Sequence, residues 1–205
     1  GTGAASTITD RLIVDNEIVI YAGGRDLGST TLGIGGPGGW SYSAATQAFA
    51  DAVETRGEAG AMLPTPTDFG PWGGAITFSM NASAIWHFGE TTTGLDAGES
   101  DFYSVALHEL FHLLGFGTAD SWTALISGGQ FIGPASVLEY DGTGNVPLAP
   151  GLGHWLNGTT DGGQETAMDP SLTVGTRKTL TPLDYAGLDD LGWDVIYDVQ
   201  SLSVS

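Results

Sequence analysis

The chain has no cysteine, which removes disulfides, thiolate metal sites and any cysteine-based latency device. Cationic side chains are scarce as well: five Lys and Arg stand against 24 Asp and Glu, for a formal charge of −19. Such a field repels nucleic acid and an anionic membrane surface, so neither is an expected partner. No run approaches the ~20 apolar residues of a transmembrane helix, so membrane insertion is not expected, and no signal peptide is recognisable. The 205-residue chain opens Gly1-Thr2-Gly3 in place of Met, as a processed or trimmed product would. Glycine is plentiful, with 33 residues. That abundance and the scarcity of Lys and Arg suit an extracellular protein exposed to proteases. The dispersed Asp residues beside Gly suit calcium, which takes oxygen ligands, and equally a solvated acidic surface.

The length fits one domain spanning 1–205, with two lobes about a cleft, burying roughly 70% of its unfolded surface. Residues 1–10 are small and polar, a loose start. Arg11–Ala22 reads as a strand or a hairpin pinched at Asp15-Asn16, because β-branched residues flank a turn pair. The glycine-rich stretch Gly23–Gly39 reads as a long irregular loop on the rim of a cleft. Ser41–Thr55 has helical spacing with a cap near Ser41 or Ser43, and Gly74–Met80 alternates like a strand, a candidate for the cleft edge to which a peptide substrate would pair. His87 reads as a hydrogen-bonded structural residue. Asp96, Glu99 and Asp101 are a candidate calcium group.

The most informative stretch is Asp101–Gly117, D-F-Y-S-V-A-L-H-E-L-F-H-L-L-G-F-G. His108 and His112 are four apart, so on a helix they share a face and can aim two imidazoles at one point. Glu109 then lies beside the metal, where a carboxylate can move a proton between a water and a leaving amine. For a chain of this composition, H-E-x-x-H arises by chance in roughly 0.3% of cases, so the spacing carries weight. Val105, Leu107, Leu110, Phe111, Leu113 and Leu114 make the helix apolar nearly all round and therefore buried. Two His and a Glu inside a core need partners or a metal. Ser100 or Asp101 is the expected N-cap, and Gly115 the expected left-handed residue after the helix. Downstream only one histidine remains, His154, in G-L-G-H-W-L. With His108 and His112 it makes a three-histidine set that leaves one open coordination position, as a catalytic zinc needs. Met168, in E-T-A-M-D-P, reads as a buried turn residue. Asp184–Trp193 reads as a short helix, with Thr181 as cap, Pro182 at N1 and Gly192 at the end, and Leu183, Leu188 and Leu191 are expected to pack against the central helix.

These segments resemble the metzincin clan of zinc endopeptidases, whose pattern is H-E-x-x-H-x-x-G-x-x-H/D followed by a Met-turn. His108, Glu109, His112 and Gly115 match that pattern, and Met168 matches the Met-turn methionine. The usual third-ligand position falls on Thr118, a poor zinc ligand. The leishmanolysin-like branch carries an insertion before its third histidine, which assigns that role to His154, with Asp120 as the alternative. Glu139 and Glu165 would suit a thermolysin-like ligand set. The D-F-x-S-V-A-L-H-E-L, G-H-W and M-D-P segments resemble secreted bacterial metalloproteases over about Asp101–Trp193. The resemblance implies an α+β catalytic domain: a twisted sheet and active-site helix (lobe about 1–117) above a mostly irregular lobe with a short helix (about 118–205). It implies one catalytic zinc on His108, His112 and His154, Glu109 as general base, and protein or peptide substrates. Tyr185 is a candidate transition-state donor, with core packing as its other reading. Metzincins typically begin with a strand and a long helix before the strand that leads into the glycine-rich region; if Arg11–Ala22 is that later strand, this chain lacks those first elements. The alternatives are a non-catalytic binding or adhesion module, or a zinc hydrolase of non-peptide substrates, on the same scaffold.

Overall fold

The computed structural model describes residues 7–9, 11–14 and 17–196. Most of the expected loose start over 1–10, and the turn pair Asp15-Asn16, lie outside the described residues. The architecture is α+β, with small sheets and five α-helices among the described residues. Strand β1 (Val19–Arg25) and strand β2 (Gly33–Pro37) precede helix α1 (Gln47–Thr55) and strand β3 (Gly73–Ser79). The sheet order is β1-β3-β2, with β1 parallel and β2 antiparallel to β3. Gly74–Met80, expected as the cleft edge, instead supplies most of β3, at the centre of the sheet. The first strand begins at Val19 instead of Arg11, because pairing runs from Val19↔Gly73 to Arg25↔Ser79 and β-propensity without a partner strand forms nothing. Gly23–Gly39 is not one irregular loop, since it holds the end of β1 and all of β2. Helix α1 starts six residues later than Ser41, at Gln47, because Thr46 supplies the cap by accepting from the Phe49 amide at 3.3 Å.

Two-residue strands β4 (Trp86–His87) and β5 (Ser100–Asp101) pair in parallel just before helix α2 (Phe102–Leu113). Asp101 caps α2, accepting from the Ser104 amide at 3.0 Å. The helix lies against β2 and β3. The chain then turns into helix α3 (Asp120–Ala124), the hairpin strands β6 (Ile126–Ser127) and β7 (Gln130–Phe131), helix α4 (Pro134–Tyr140) and strand β8 (Val146–Pro147). Strands β9 (Thr160–Asp161) and β10 (Gln164–Glu165) form a second hairpin before helix α5 (Pro182–Asp189). The second half is thus more regular than expected. Its elements are short, and α4 is capped from a distance by Asp190, which accepts from the Ala135 and Ser136 amides at 2.8 and 2.9 Å.

The core sits behind α2, on the side of the second half. Trp122 stacks on Phe131 at 4.1 Å, and Phe116 and Trp155 close the cluster edge-on at 4.9 Å. Phe111 of α2 joins Leu183, Leu188 and Leu191 in that cluster, as the leucine spacing of α5 predicts. Each fully buried leucine contributes roughly 1.5–3 kcal/mol, and α5 itself packs chiefly against α4. No helix among the described residues is long and apolar enough to cross a membrane.

Candidate metal centre

Helix α2 carries His108, Glu109 and His112 over one turn, and its end is built to deliver a fourth chain segment. Gly115 has φ +106, the left-handed region that glycine enters without steric cost. The Gly115 amide then reaches His112 O at 3.2 Å and the Phe116 amide reaches Phe111 O at 3.0 Å, the paired bonds of a Schellman turn. Two residues on, Gly117 (φ +73) lies so close to Gly153 that a Cβ would stand 2.2 Å from Gly153 O. That contact brings the loop carrying His154 onto the end of α2. The loop is held further by Trp122 Nε1 donating to Leu152 O (2.8 Å) and by the Ala149 amide donating to His154 O (3.0 Å). Leu152 itself sits at φ +64, a conformation that a branched side chain keeps only when its surroundings enforce it.

The result is a triangle of nitrogens. His108 Nε2 and His112 Nε2 are 3.1 Å apart, and His154 Nε2 is 3.1 Å from the first and 2.9 Å from the second. His108 Nδ1–H donates to Ala167 O at 2.8 Å, and His112 Nδ1–H donates to Phe116 O at 2.8 Å. A carbonyl can only accept, so these two rings carry their proton on Nδ1 and turn a bare Nε2 lone pair toward the third ring. Burial holds all three imidazoles neutral. Desolvation, with the charge of His112 adding to it, depresses His108 to about 3 and His154 to about 4. Desolvation likewise lowers His112. Converging lone pairs with at most one proton among them repel one another unless a cation lies between. Three ligands at tetrahedral angles and zinc–nitrogen distances of ~2.0–2.1 Å would be about 3.3 Å apart, close to what is found. The donor set therefore fits a metal ion, and these three histidines are the one group of three or more His, Asp or Glu side chains so gathered among the described residues.

Glu109 faces the same cavity of about 610 Å³, lined also by Thr31, Gly33, Ile34, Ser104 and Lys178. It is 6% exposed. Desolvation raises its carboxyl to about 7, with a hydrogen bond from the Gly35 amide working the other way. Strand β2 presses directly on it. A Cβ on Gly33 would lie 2.6 Å from Glu109 Oε1, and one on Gly35 would lie 2.4 Å from Glu109 O. These glycines are site residues that the sequence reading treated as loop. The available signal was their alternation, G-I-G, at strand period.

The other expected residues do not line the cavity, though Met168 directly follows Ala167, the acceptor of the His108 Nδ1–H. Met168 is fully buried in the core with Trp155, whose amide donates to Met168 O at 3.1 Å. Tyr185 packs edge-on against Phe111 at 6.1 Å and is not among the residues lining the cavity. Asp120 and Glu139 are exposed on α3 and α4, and Glu165 pairs with Lys178 at 3.1 Å. None of the three joins the histidines. The calcium group Asp96, Glu99 and Asp101 is not formed. The Asp101 carboxylate is taken by Arg177 Nη2 at 2.7 Å and Nε at 2.9 Å, and by the Ser104 hydroxyl at 2.6 Å. His87 is structural, with Nε2 2.9 Å from Thr91 O and Nδ1 3.6 Å from Glu99. Comparison with protein-family models, with curated proteins and with solved structures finds no match.

Proposed function

We propose that the chain is a zinc endopeptidase of metzincin type, with zinc on His108, His112 and His154. The observation that carries this reading is the placing of one carboxylate, Glu109, in the cavity onto which the Nε2 atoms of three neutral imidazoles converge. A zinc ion held by them supplies Lewis acidity toward a carbonyl and a water. Glu109 accepts the proton of the attacking water, the water oxygen adds to the carbonyl carbon, and the carbon–nitrogen bond breaks. The same carboxyl returns the proton to the departing amine nitrogen. The Ala167 and Phe116 carbonyls keep His108 and His112 in the tautomer that leaves Nε2 free. An extended substrate fits beside β2, which is the last strand of its sheet and lines the cavity through Gly33, Ile34 and Gly35. Main-chain pairing to an open strand edge binds peptides with little regard to sequence, which favours a protein or peptide substrate. The scarcity of Lys and Arg supports a secreted setting.

The test is casein cleavage by the wild-type chain beside Glu109→Ala, with zinc content measured in both. The wild type should cut, and the variant, with its three histidines intact, should hold as much zinc and lose activity by about 100- to 10,000-fold. A zinc-loaded wild type that leaves casein and unstructured peptides uncut would sink the endopeptidase reading. Equal cleavage by the variant would remove Glu109 from the chemistry.

A further inference from the structure

Behind the histidines a second set of hydrogen bonds converges on one carboxylate. Asp184, fully buried in the first turn of α5, accepts at Oδ1 from the Trp155 indole N–H (3.1 Å) and the Met168 amide (3.2 Å). At Oδ2 it accepts from the Ala167 amide (2.9 Å), the Thr181 amide (2.8 Å) and the Thr181 hydroxyl (3.0 Å). Capping α5 needs only the Thr181 contacts. The other three donors belong to the segments that carry or orient the metal site. Ala167 presents its carbonyl to His108 Nδ1–H, and Trp155 directly follows His154 in the chain. Burying an ionised carboxylate is costly unless its oxygens are satisfied, and here each oxygen joins a different pair of segments.

We infer that Asp184 is a positioning residue for the three-histidine centre, setting His108 through the Ala167 carbonyl and His154 through Trp155. This rests on reading the cluster as a metal site and is independent of peptide hydrolysis. Every group that meets the carboxylate is a donor. Asp184→Asn, nearly the same shape, must therefore turn its NH₂ against at least one N–H whichever way the amide is placed.

The experiment measures zinc affinity by chelator competition for the wild type, Asp184→Asn and Asp190→Asn. The cobalt-substituted absorption spectrum and the Tm of each metal-free protein accompany it. Asp190 is the control, since it caps α4 from the end of α5 and meets only the Ala135 and Ser136 amides among its hydrogen-bond partners given above. Both variants should melt earlier than wild type. Only Asp184→Asn should weaken zinc binding, by about 10- to 100-fold, and shift the cobalt bands. Zinc held within about threefold of wild type, with an unchanged cobalt spectrum, would overturn the inference, as would an equal loss in Asp190→Asn. Should Asp184→Asn not fold, Trp155→Phe decides, because it removes one donor and keeps the carboxylate. Weakened zinc binding there supports the role, and wild-type affinity overturns it. A wild-type chain that binds no zinc defeats the metal reading itself, an outcome separate from any difference between variants.

Discussion

Gly33 and Gly35 leave the room in which Glu109 stands, but they do so against different atoms, and the difference separates chemistry from folding. A methyl on Gly33 would meet the far end of the Glu109 side chain, Oε1 at 2.6 Å and Cγ at 2.7 Å. A flexible carboxylate can swing aside at small cost to stability, but it then leaves the position that the proposed proton transfer requires. A methyl on Gly35 would meet Glu109 O at 2.4 Å and Cβ at 2.8 Å, which are parts of the helix that cannot swing. Strand and helix must then separate, an overpacking that costs about 1–3 kcal/mol. Gly33→Ala should therefore keep the Tm and zinc content of wild type and lose roughly 100-fold in kcat/KM on a peptide substrate. Gly35→Ala should lose Tm first. Peptide kinetics beside a thermal melt check both, and a Gly33→Ala protein with wild-type kcat/KM would show that Glu109 is not confined by β2.

Helix α2 shows how one element carries both fold and site. Its Schellman turn ends the helix at Gly115 and also sets the Phe116 carbonyl, which receives His112 Nδ1–H at 2.8 Å. A Cβ on Gly115 would lie 2.5 Å from the Phe69 ring, in a left-handed conformation besides. Gly115→Ala should thus cost about 1–3 kcal/mol of stability and also weaken zinc binding. Urea unfolding with a zinc titration checks the pair of effects, and loss of stability with unaltered zinc affinity would uncouple the turn from His112. Both ends of α2 and the start of α5 were legible in the sequence because their signals are local: Asp101 and Thr181 as caps, Gly115 after the last turn of α2; α5 was expected to run on to Trp193 but ends at Asp189. The site's two ligands on α2 were legible for the same reason. Strand β2 was not, since its glycines answer to a helix more than 70 residues away in the chain and otherwise look like loop. Nor was α4, whose first amides are met by Asp190 from 54 and 55 residues further on. His154 could be picked out as the one remaining downstream histidine. The Gly117–Gly153 approach that delivers it is a tertiary contact with no local trace.

At the scale of the whole molecule, the three neutral imidazoles couple folding to protons and to metal. His108 and His154 stay neutral in the fold down to about 3 and about 4, against an ordinary 6.5. Below pH 6.5 the unfolded chain takes up protons that the folded chain refuses, so each histidine contributes stability that is present above 6.5 and lost as pH falls through its folded value. Glu109 works in the opposite sense. Raised to about 7 from 4.5, it is protonated in the fold while still ionised in the unfolded chain, which offsets one histidine over that window. Asp101 enters only lower. Burial pushes its carboxyl up, but Arg177 and Ser104 together hold it below the ordinary 3.8, so its stabilisation is lost as pH falls below that value. Burial raises the Asp184 and Asp190 carboxyls as well, and these oppose the histidines in the same sense as Glu109. The variant isolates one group: His154→Asn should remove one proton from the slope of stability against pH between 6.5 and 4. Urea unfolding at closely spaced pH values measures this, and a slope unchanged by His154→Asn would mean that His154 is not held neutral. If the three histidines take zinc, the ion competes with protons for the same nitrogens, so zinc should add to stability most at neutral pH and least in acid. At about a thousandfold excess of zinc over Kd the gain is about 4 kcal/mol, or roughly 8–16 °C in Tm for a chain of this size. Chelation at pH 7 should reverse that rise and addition of zinc restore it. A Tm indifferent to zinc at pH 7 would mean that the three nitrogens converge without holding the ion.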